Sequence, residues 1–449
     1  LDSNSPTGVR ILDQNSEGSA EFPLRQESKT EFKSAVGRTV AKLKIYFLPA
    51  GYPDTVSDDY LNYMLWTIPC HVTGWLYTSL STASLLDSVG VVKGSPESSA
   101  TNLVVATAAL KWITKDGIGA LGRAIIGGRY ASLADEDPKR WRMAAEALSV
   151  TGSALELATK LAPSQFLVLA SVGNLSKALG KGLSGPSFRV IQTHFARGNN
   201  VGAIAAKEEL WEVCAQLVAL ALTFSLLNNS AVTSSFTSFA ASWLVLVGLH
   251  VGFRYVAIGQ VHLPVMNLRR AKILAKHHIQ HNTVLSVSQV NSQEQILRSG
   301  ESYAPYMNIG CTLEEALAHC TPSMKHSLSS VDQQEDPELS TMDDHSGDSV
   351  WKLEQFADTR YVLGWDGKQV CVSLKTGAAS EDVVRAIWQA AWLEEACERE
   401  ARDCTQMLVD SCNAVDVHFN DFMQGVESAG WTLDTCAGLV PSKAAFVEL

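Results

Sequence analysis

The sequence predicts a mainly α-helical protein: an apolar helical body with a candidate transmembrane hairpin, followed by a small C-terminal α+β domain. Three observations carry that reading. Hydrophobic residues make up 46% of the 449 and charged ones only 18%, against roughly a quarter charged in typical soluble domains. Tyr60–Leu86, Leu161–Ser176 and Val213–Phe253 contain no Asp, Glu, Lys or Arg. Residues 327–350 hold seven acids and no Lys or Arg, a composition too polar to bury enough surface to order itself.

In chain order, residues 1–30 are rich in Ser, Asn, Gln and Glu and read as a flexible lead-in. The helical body is placed at 31–326. Leu103–Ile113 reads as a helix followed by a Gly-rich stretch, and Ser153–Leu161 has apolar residues at i, i+3/i+4 spacing. Asp137 before Pro138 is helix-start chemistry, a capping carboxylate followed by a residue whose missing N–H costs nothing in the first turn. Pro163 opens the next helix, which Phe166–Val172 continue. The longest uncharged window is long enough for two spans of about 20 residues. They are placed at 211–227 and 236–258, with the polar turn Asn228-Asn229-Ser230 between them. Lys207 precedes the pair, and Arg254, Arg269, Arg270 and Lys272 follow it, so both basic flanks share one face of a bilayer. The alternative is a pair of core helices buried within the protein.

The acidic linker 327–350 leads to a tail domain at 351–449. Arg360–Trp365, Asp366-Gly367 and Lys368–Leu374 read as a β-hairpin, because Asp-Gly accepts the positive φ of a tight turn. Ser380-Glu381-Asp382 starts a helix with Val383, Val384, Ile387 and Trp388 on its apolar face, running to about Leu408. Phe419–Glu427 reads as another helix and Gly430–Thr435 as a final strand.

Charge is uneven: 327–449 holds 23 acids against 8 bases, while 1–326 is nearly balanced. An acidic tail on an apolar body argues against nucleic acid as a partner. The nine cysteines (Cys70, Cys214, Cys311, Cys320, Cys371, Cys397, Cys404, Cys412 and Cys436) form no CxxC pair and read as reduced structural thiols. No metal site is expected: His277, His278 and His281 lack the Glu of a zinc-protease helix and continue a basic face. Gly117, Gly119 and Gly122 match G-x-G-x-x-G, but no strand–helix–strand pattern surrounds them, so close helix packing explains them better than a dinucleotide. Lys115 and Asp116 beside them form an ion pair or cap, or else part of a ligand site. Lys139, Arg140 and Arg142 are a surface charge cluster or bind an anionic headgroup or phosphate. The chain begins at Leu1, so the sequence is silent on any presequence.

Several blocks, agreeing in order and spacing, resemble the root UVB sensitive family. The first contains Pro49, Gly51, Tyr52, Pro53, Asp59, Tyr60 and Trp66. The second is Trp112 with Lys115, Asp116, Gly117, Gly119 and Gly122, and the third is Asp137, Pro138, Lys139, Arg140, Trp141 and Arg142. Gly173, Asn174 and Lys177, then Asn267–Arg270, extend the likeness, and the tail from Arg360 looks like the family's C-terminal region. Thr82-Ala83 and Pro186-Ser187 depart from the family pattern. The resemblance implies a plant or algal protein acting in UV-B response, development or auxin distribution. It implies a plastid or other organelle membrane, and a paralogue or the chain itself as partner.

The expected function is therefore a membrane-associated, non-enzymatic regulator acting through protein partners and membrane lipid. The alternative is a transporter or ligand-binding membrane protein linked to pyridoxal phosphate homoeostasis. In that reading Lys115, Asp116, Asn174 and Lys177 converge on one pocket, Asp116 is buried, and helices broken at Pro69 and Gly117–Gly122 line the pocket. A pyridoxal phosphate enzyme would need a Schiff-base Lys with an acid near the ring nitrogen, an arrangement the sequence does not display. The cofactor remains unassigned.

Overall fold

A computed structural model describes residues 44–89, 113–114, 116–118, 137–298, 306–318, 353–399, 403–433, 439 and 446–447. The lead-in 1–30, the acidic linker 327–350, Lys115, Gly119 and Gly122 lie outside the described residues. The body contains α1 (Tyr60–Val89), α2 (Pro138–Ala158), α3 (Phe166–Phe195), α4 (Val201–Asn228), α5 (Phe236–Gly259), α6 (Leu268–His281) and α7 (Val287–Gln293). Then come β1 (Met307–Ile309), α8 (Leu313–Ala318), β2 (Tyr361–Trp365), β3 (Val370–Lys375), α9 (Ser380–Arg399), α10 (Cys404–Ser428) and β4 (Phe446–Val447).

Helix starts follow the local chemistry. The Asp137 carboxylate accepts from the Arg140 N–H, with Pro138 as the first helical residue. Pro163–Gln165 form one tight 3-10 turn that feeds α3. α1 runs unbroken through Pro69, so the break expected there is absent; the Thr73 hydroxyl donates to the Pro69 carbonyl at 2.8 Å.

α2 and α3 pack antiparallel at very close range because glycines face backbone. A Cβ on Gly152 would come within 2.3 Å of the Gly173 carbonyl oxygen, and one on Gly180 within 2.6 Å of the Ala145 carbonyl oxygen. α1 and α5 also run side by side. Gly74 leaves room for the His250 ring, and the Trp243 indole donates to the Ser81 hydroxyl at 2.9 Å. Asp59 ties three helix ends together, the start of α1, the end of α3 and the segment after α5: it accepts from the Ser57 hydroxyl (2.5 Å), the His194 ring (2.9 Å) and the His262 backbone N–H (2.6 Å). Burial alone would raise this carboxyl, but His194, His262 and Ser57 outweigh it and hold it below its ordinary value.

The hairpin occupies Val201–Asn228 and Phe236–Gly259, joined by a short helical turn at Ser230–Thr233. Both helices are long and apolar enough to cross a membrane, yet only 17% of each apolar window is buried. Leu220 is 67% exposed, Phe224 72% and Leu244 62%. Among the described residues nothing covers these faces, which favours the hairpin over the alternative of core helices buried within the chain.

The C-terminal unit forms around α6, α9, α10 and the sheet. β2 and β3 are the antiparallel hairpin expected from Asp366-Gly367, with Gly367 at φ +87°. The sequence reading did not include β1, which adds to β3 in parallel, Met307 opposite Val370. Instead of one helix to about Leu408, α9 ends at Arg399 and a second helix starts at Cys404. The proposed strand at Gly430–Thr435 reduces, among described residues, to a bridge between Thr432 and Val265. α6 buries Ala271, Leu274 and Ala275 in the same core as Trp388 and Phe422. His278 accepts from the Trp388 indole at 3.2 Å, while His277 and His281 stack with ring centroids 4.5 Å apart.

A buried ionic network joins α2 to α6 and the segment after α7. Glu294 accepts from Lys139 at 3.0 Å, from Arg269 at 3.3 Å and from Arg270 at 3.1 Å; Arg269 also holds Asp137, and Lys139 holds Asn291 at 2.6 Å. Burial would raise the Glu294 carboxyl, but Arg270, Lys139 and Arg269 outweigh it and hold it at about 2. Burial pushes the Lys139 ammonium down to about 8 against the pull of Glu294.

Three outcomes follow for stability. Gly152→Ala lowers the unfolding free energy by about 1–3 kcal/mol in calorimetry, because the backbone it meets cannot yield. Gly202→Ala, at an exposed position where a Cβ meets nothing, is neutral or gains up to about 1 kcal/mol of helix propensity. Glu294→Gln costs about 3–5 kcal/mol by leaving buried cations unpaired. Because the folded Glu294 titrates below its unfolded value, its contribution is complete above about pH 4.3 and lost as pH falls toward 2. Acid unfolding profiles of the variant therefore lose that component.

Candidate functional site

Five helices of the body, α1 to α5, line an open cavity of about 350 Å³. Its polar walls come from helical stripes. α2 contributes Arg142, Glu146, Ser149 and Ser153, and α3 contributes Lys177, Lys181 and Ser184. Glu212 comes from α4, and His250 and Arg254, one turn apart, from α5. Cys70, Gly74 and Tyr77 follow the same i, i+4, i+7 spacing on α1, with His71, Trp75 and Thr78 beside them.

Glu146 is the centre of this arrangement. Its carboxylate accepts from His250 Nε2 at 2.6 Å and from Arg254 Nε at 3.1 Å, with the Arg142 guanidinium 3.8 Å away. His250 Nδ1 lies 2.9 Å from the Cys70 carbonyl oxygen. Both ring nitrogens thus face acceptors, so both carry hydrogen and the ring is an imidazolium. One carboxylate then serves three cations. Burial would raise Glu146, but Arg254 and His250 hold it well below the carboxylate range. The Cys70 sulfur sits 3.6 Å from His250 Nδ1; Arg254 and His250 hold this thiol below its ordinary value although burial alone would raise it. Arg142 Nε is shielded from solvent and has no hydrogen-bond partner.

Lys177 lines the cavity and bonds the buried Glu156 at 2.5 Å. Lys181 lines it too and is exposed at its edge; its carbonyl accepts from the Ser184 hydroxyl, while its ammonium makes no hydrogen bond or ion pair among the described residues. The arrangement suits an anion: fixed positive charge, a partly dry floor and aromatic walls at Trp75 and Tyr77.

The sequence-derived candidates are divided by the fold. Lys177 and Arg142 face the cavity. Lys139 is fully buried in the Glu294 network, and the Arg140 guanidinium lies 5.6 Å from the Trp141 ring centroid, outside the cavity. Asn174 does not line it. Asp116 is exposed and does not line it either, which corrects the expectation of a buried Asp116 converging with Lys177. Lys177 instead turns toward Glu156 on α2. Glu146, Lys181, Glu212, His250 and Arg254 went unrecognised. Their signal was available: His250 is the ionisable residue inside the longest uncharged window, and Arg254 ends that window one turn later. Among the described residues, no three His, Cys, Asp or Glu side chains gather as metal ligands would. The cysteines described are free thiols.

Residues 33–282 match the family model described as a vitamin B6 photo-protection and homoeostasis domain, and residues 345–437 match the root UVB sensitive protein C-terminal model. The chain is 39% identical over 405 residues to Protein root UVB sensitive 5 of Arabidopsis thaliana, covering 89% of this chain and 75% of that protein. It is 33% identical over 263 residues to RUS family member 1 of Dictyostelium discoideum, covering 56% of this chain and 47% of that protein. Identity with Protein root UVB sensitive 2, chloroplastic, of Arabidopsis thaliana is 25% over 391 residues, 86% of this chain and 81% of that protein. No solved structure matches. The match over more than half the chain, together with the 39% identical relative, places this protein in the root UVB sensitive family.

Proposed function

We propose that this chain is a membrane-embedded protein that binds a small molecule in vitamin B6 homoeostasis, with the five-helix cavity as its ligand site. The observation that carries the proposal is the position of the cavity. It lies at the polar end of two helices whose apolar faces nothing among the described residues covers. Lipid is the natural cover for such faces, and the matched family description supplies the ligand class. A plastid membrane is the proposed location, by likeness to the chloroplastic relative. Binding is the role that the fixed His250 ring supports, since both of its nitrogens sit against acceptors.

A second reading keeps the regulatory role, in UV-B response, development or auxin distribution, exerted through a paralogue or second copy. The observation favouring it is on α5, where Gly248 and Gly252 stand one turn apart and a Cβ on either would meet nothing within 4 Å. Small residues at this spacing let a second membrane helix approach closely.

Two measurements test these readings. Alkaline carbonate extraction leaves the full chain in the membrane pellet; recovery of intact protein in the supernatant contradicts embedding. In phosphatidylcholine nanodiscs, equilibrium dialysis finds one saturable site per chain for at least one B6 vitamer. Failure of every vitamer to saturate removes the ligand reading.

A further inference from the structure

We infer that the cavity is built for a phosphate monoester, gripped by Arg142 and Lys181 over a cationic floor of Arg254 and His250. The inference rests on the ligand-site reading above and adds to it the chemical class of the ligand.

The argument is one of charge. The lining carries Arg142, Lys177, Lys181, Arg254 and the doubly protonated His250, against Glu146 and Glu212. Lys177 is matched by Glu156 just outside the lining. Counting those three carboxylates against the five cations leaves two positive charges on the lining, which the buried Glu208, bonded to Gln192 and outside the lining, offsets by at most one. Charge held out of water without a counter-charge is costly, and the Lys181 ammonium at the open edge adds its attraction, so the site favours a ligand that supplies more than one negative charge. A phosphate monoester carries about −1.5 to −2 near neutral pH, whereas a carboxylate supplies one. The donors match as well. Arg142 Nε has no partner, guanidinium forks suit phosphate oxygens, and Lys181 stands unpaired at the mouth. The volume, near the lower end of the roughly 300–1,000 Å³ of small-molecule pockets, admits one ring beside a phosphate, and Trp75 and Tyr77 contribute aromatic surface to the lining.

Two sources share this chemistry, a soluble phosphorylated ring and the headgroup of phosphatidic acid. The test uses the full chain in phosphatidylcholine nanodiscs, titrated with pyridoxine 5′-phosphate and with pyridoxine. Neither has an aldehyde to react with surface lysines. Pyridoxine 5′-phosphate is expected to bind at least tenfold more tightly. Lys181→Gln, at an exposed position that leaves folding intact, removes that advantage and leaves pyridoxine unchanged. Lys181→Arg retains it, and Arg140→Gln, outside the cavity, changes nothing. Adding phosphatidic acid to the discs identifies the source: competition supports the inference with the headgroup as ligand, and tight pyridoxine 5′-phosphate binding without competition supports it with the soluble ester. Equal binding of both vitamers, indifferent to Lys181→Gln, overturns the inference and leaves the vitamin B6 reading standing. Lys181-dependent binding of phosphatidic acid alone keeps the inference and removes the vitamin B6 reading. Binding of none of the three overturns both.

Discussion

Glu146 holds together the part of this protein on which the rest depends. Its two oxygens meet His250 and Arg254 on α5, and Arg142 approaches from one turn earlier on its own helix. Three cations at the edge of an apolar bundle would repel one another and suffer desolvation without it. Losing one partner of such a buried cluster costs about 3–5 kcal/mol. The contact also fixes where α5 lies against α1 and α2, since His250 wedges against Gly74 and the Cys70 carbonyl. The registration of the apolar hairpin therefore follows from an ionic contact at one end of it.

That asymmetry organises the body. From Glu212 toward the tip, α4 carries no charge, and α5 carries none until the His250 imidazolium and Arg254. Polar groups collect at one end, apolar side chains at the other. Each exposed Leu or Phe on the hairpin would gain roughly 1.5–3 kcal/mol on leaving water, while the ionic end resists entering lipid. The same helix, α2, begins with a second cluster: Lys139 shares Glu294 with Arg269 and Arg270, joining the body to α6 and through it to the C-terminal unit. Within its first three turns, α2 thus anchors both the cavity and the domain junction.

Much of the fold was legible because it rests on local rules. The uncharged window located the hairpin within a few residues at its apolar ends, Asp137-Pro138 marked the start of α2, and Asp366-Gly367 marked the β2–β3 turn. The site was less legible because its contacts join residues distant in the chain: Glu146 meets His250 across 104 positions. Lys139 and Arg142 looked like one basic cluster, yet their three-residue spacing and different neighbours send one into the Glu294 network and the other into the cavity. The pairing of β1 with β3 crosses the acidic linker, and no local pattern in Met307–Ile309 announces it. Asp116 invited a functional reading through its glycine neighbours, but it lies on the surface.

Lipid against the hairpin tip, with the charged cavity at the opposite end, is the central claim. Nitroxide labels placed singly at Phe224, Leu244 and Gln260 in liposome-reconstituted protein test it through collision with oxygen and with a water-soluble nickel chelate. The account predicts that the labels at Phe224 and Leu244 collide with oxygen and are shielded from nickel, while the label at Gln260 is reached by nickel. Nickel collisions of equal strength at all three positions would contradict it.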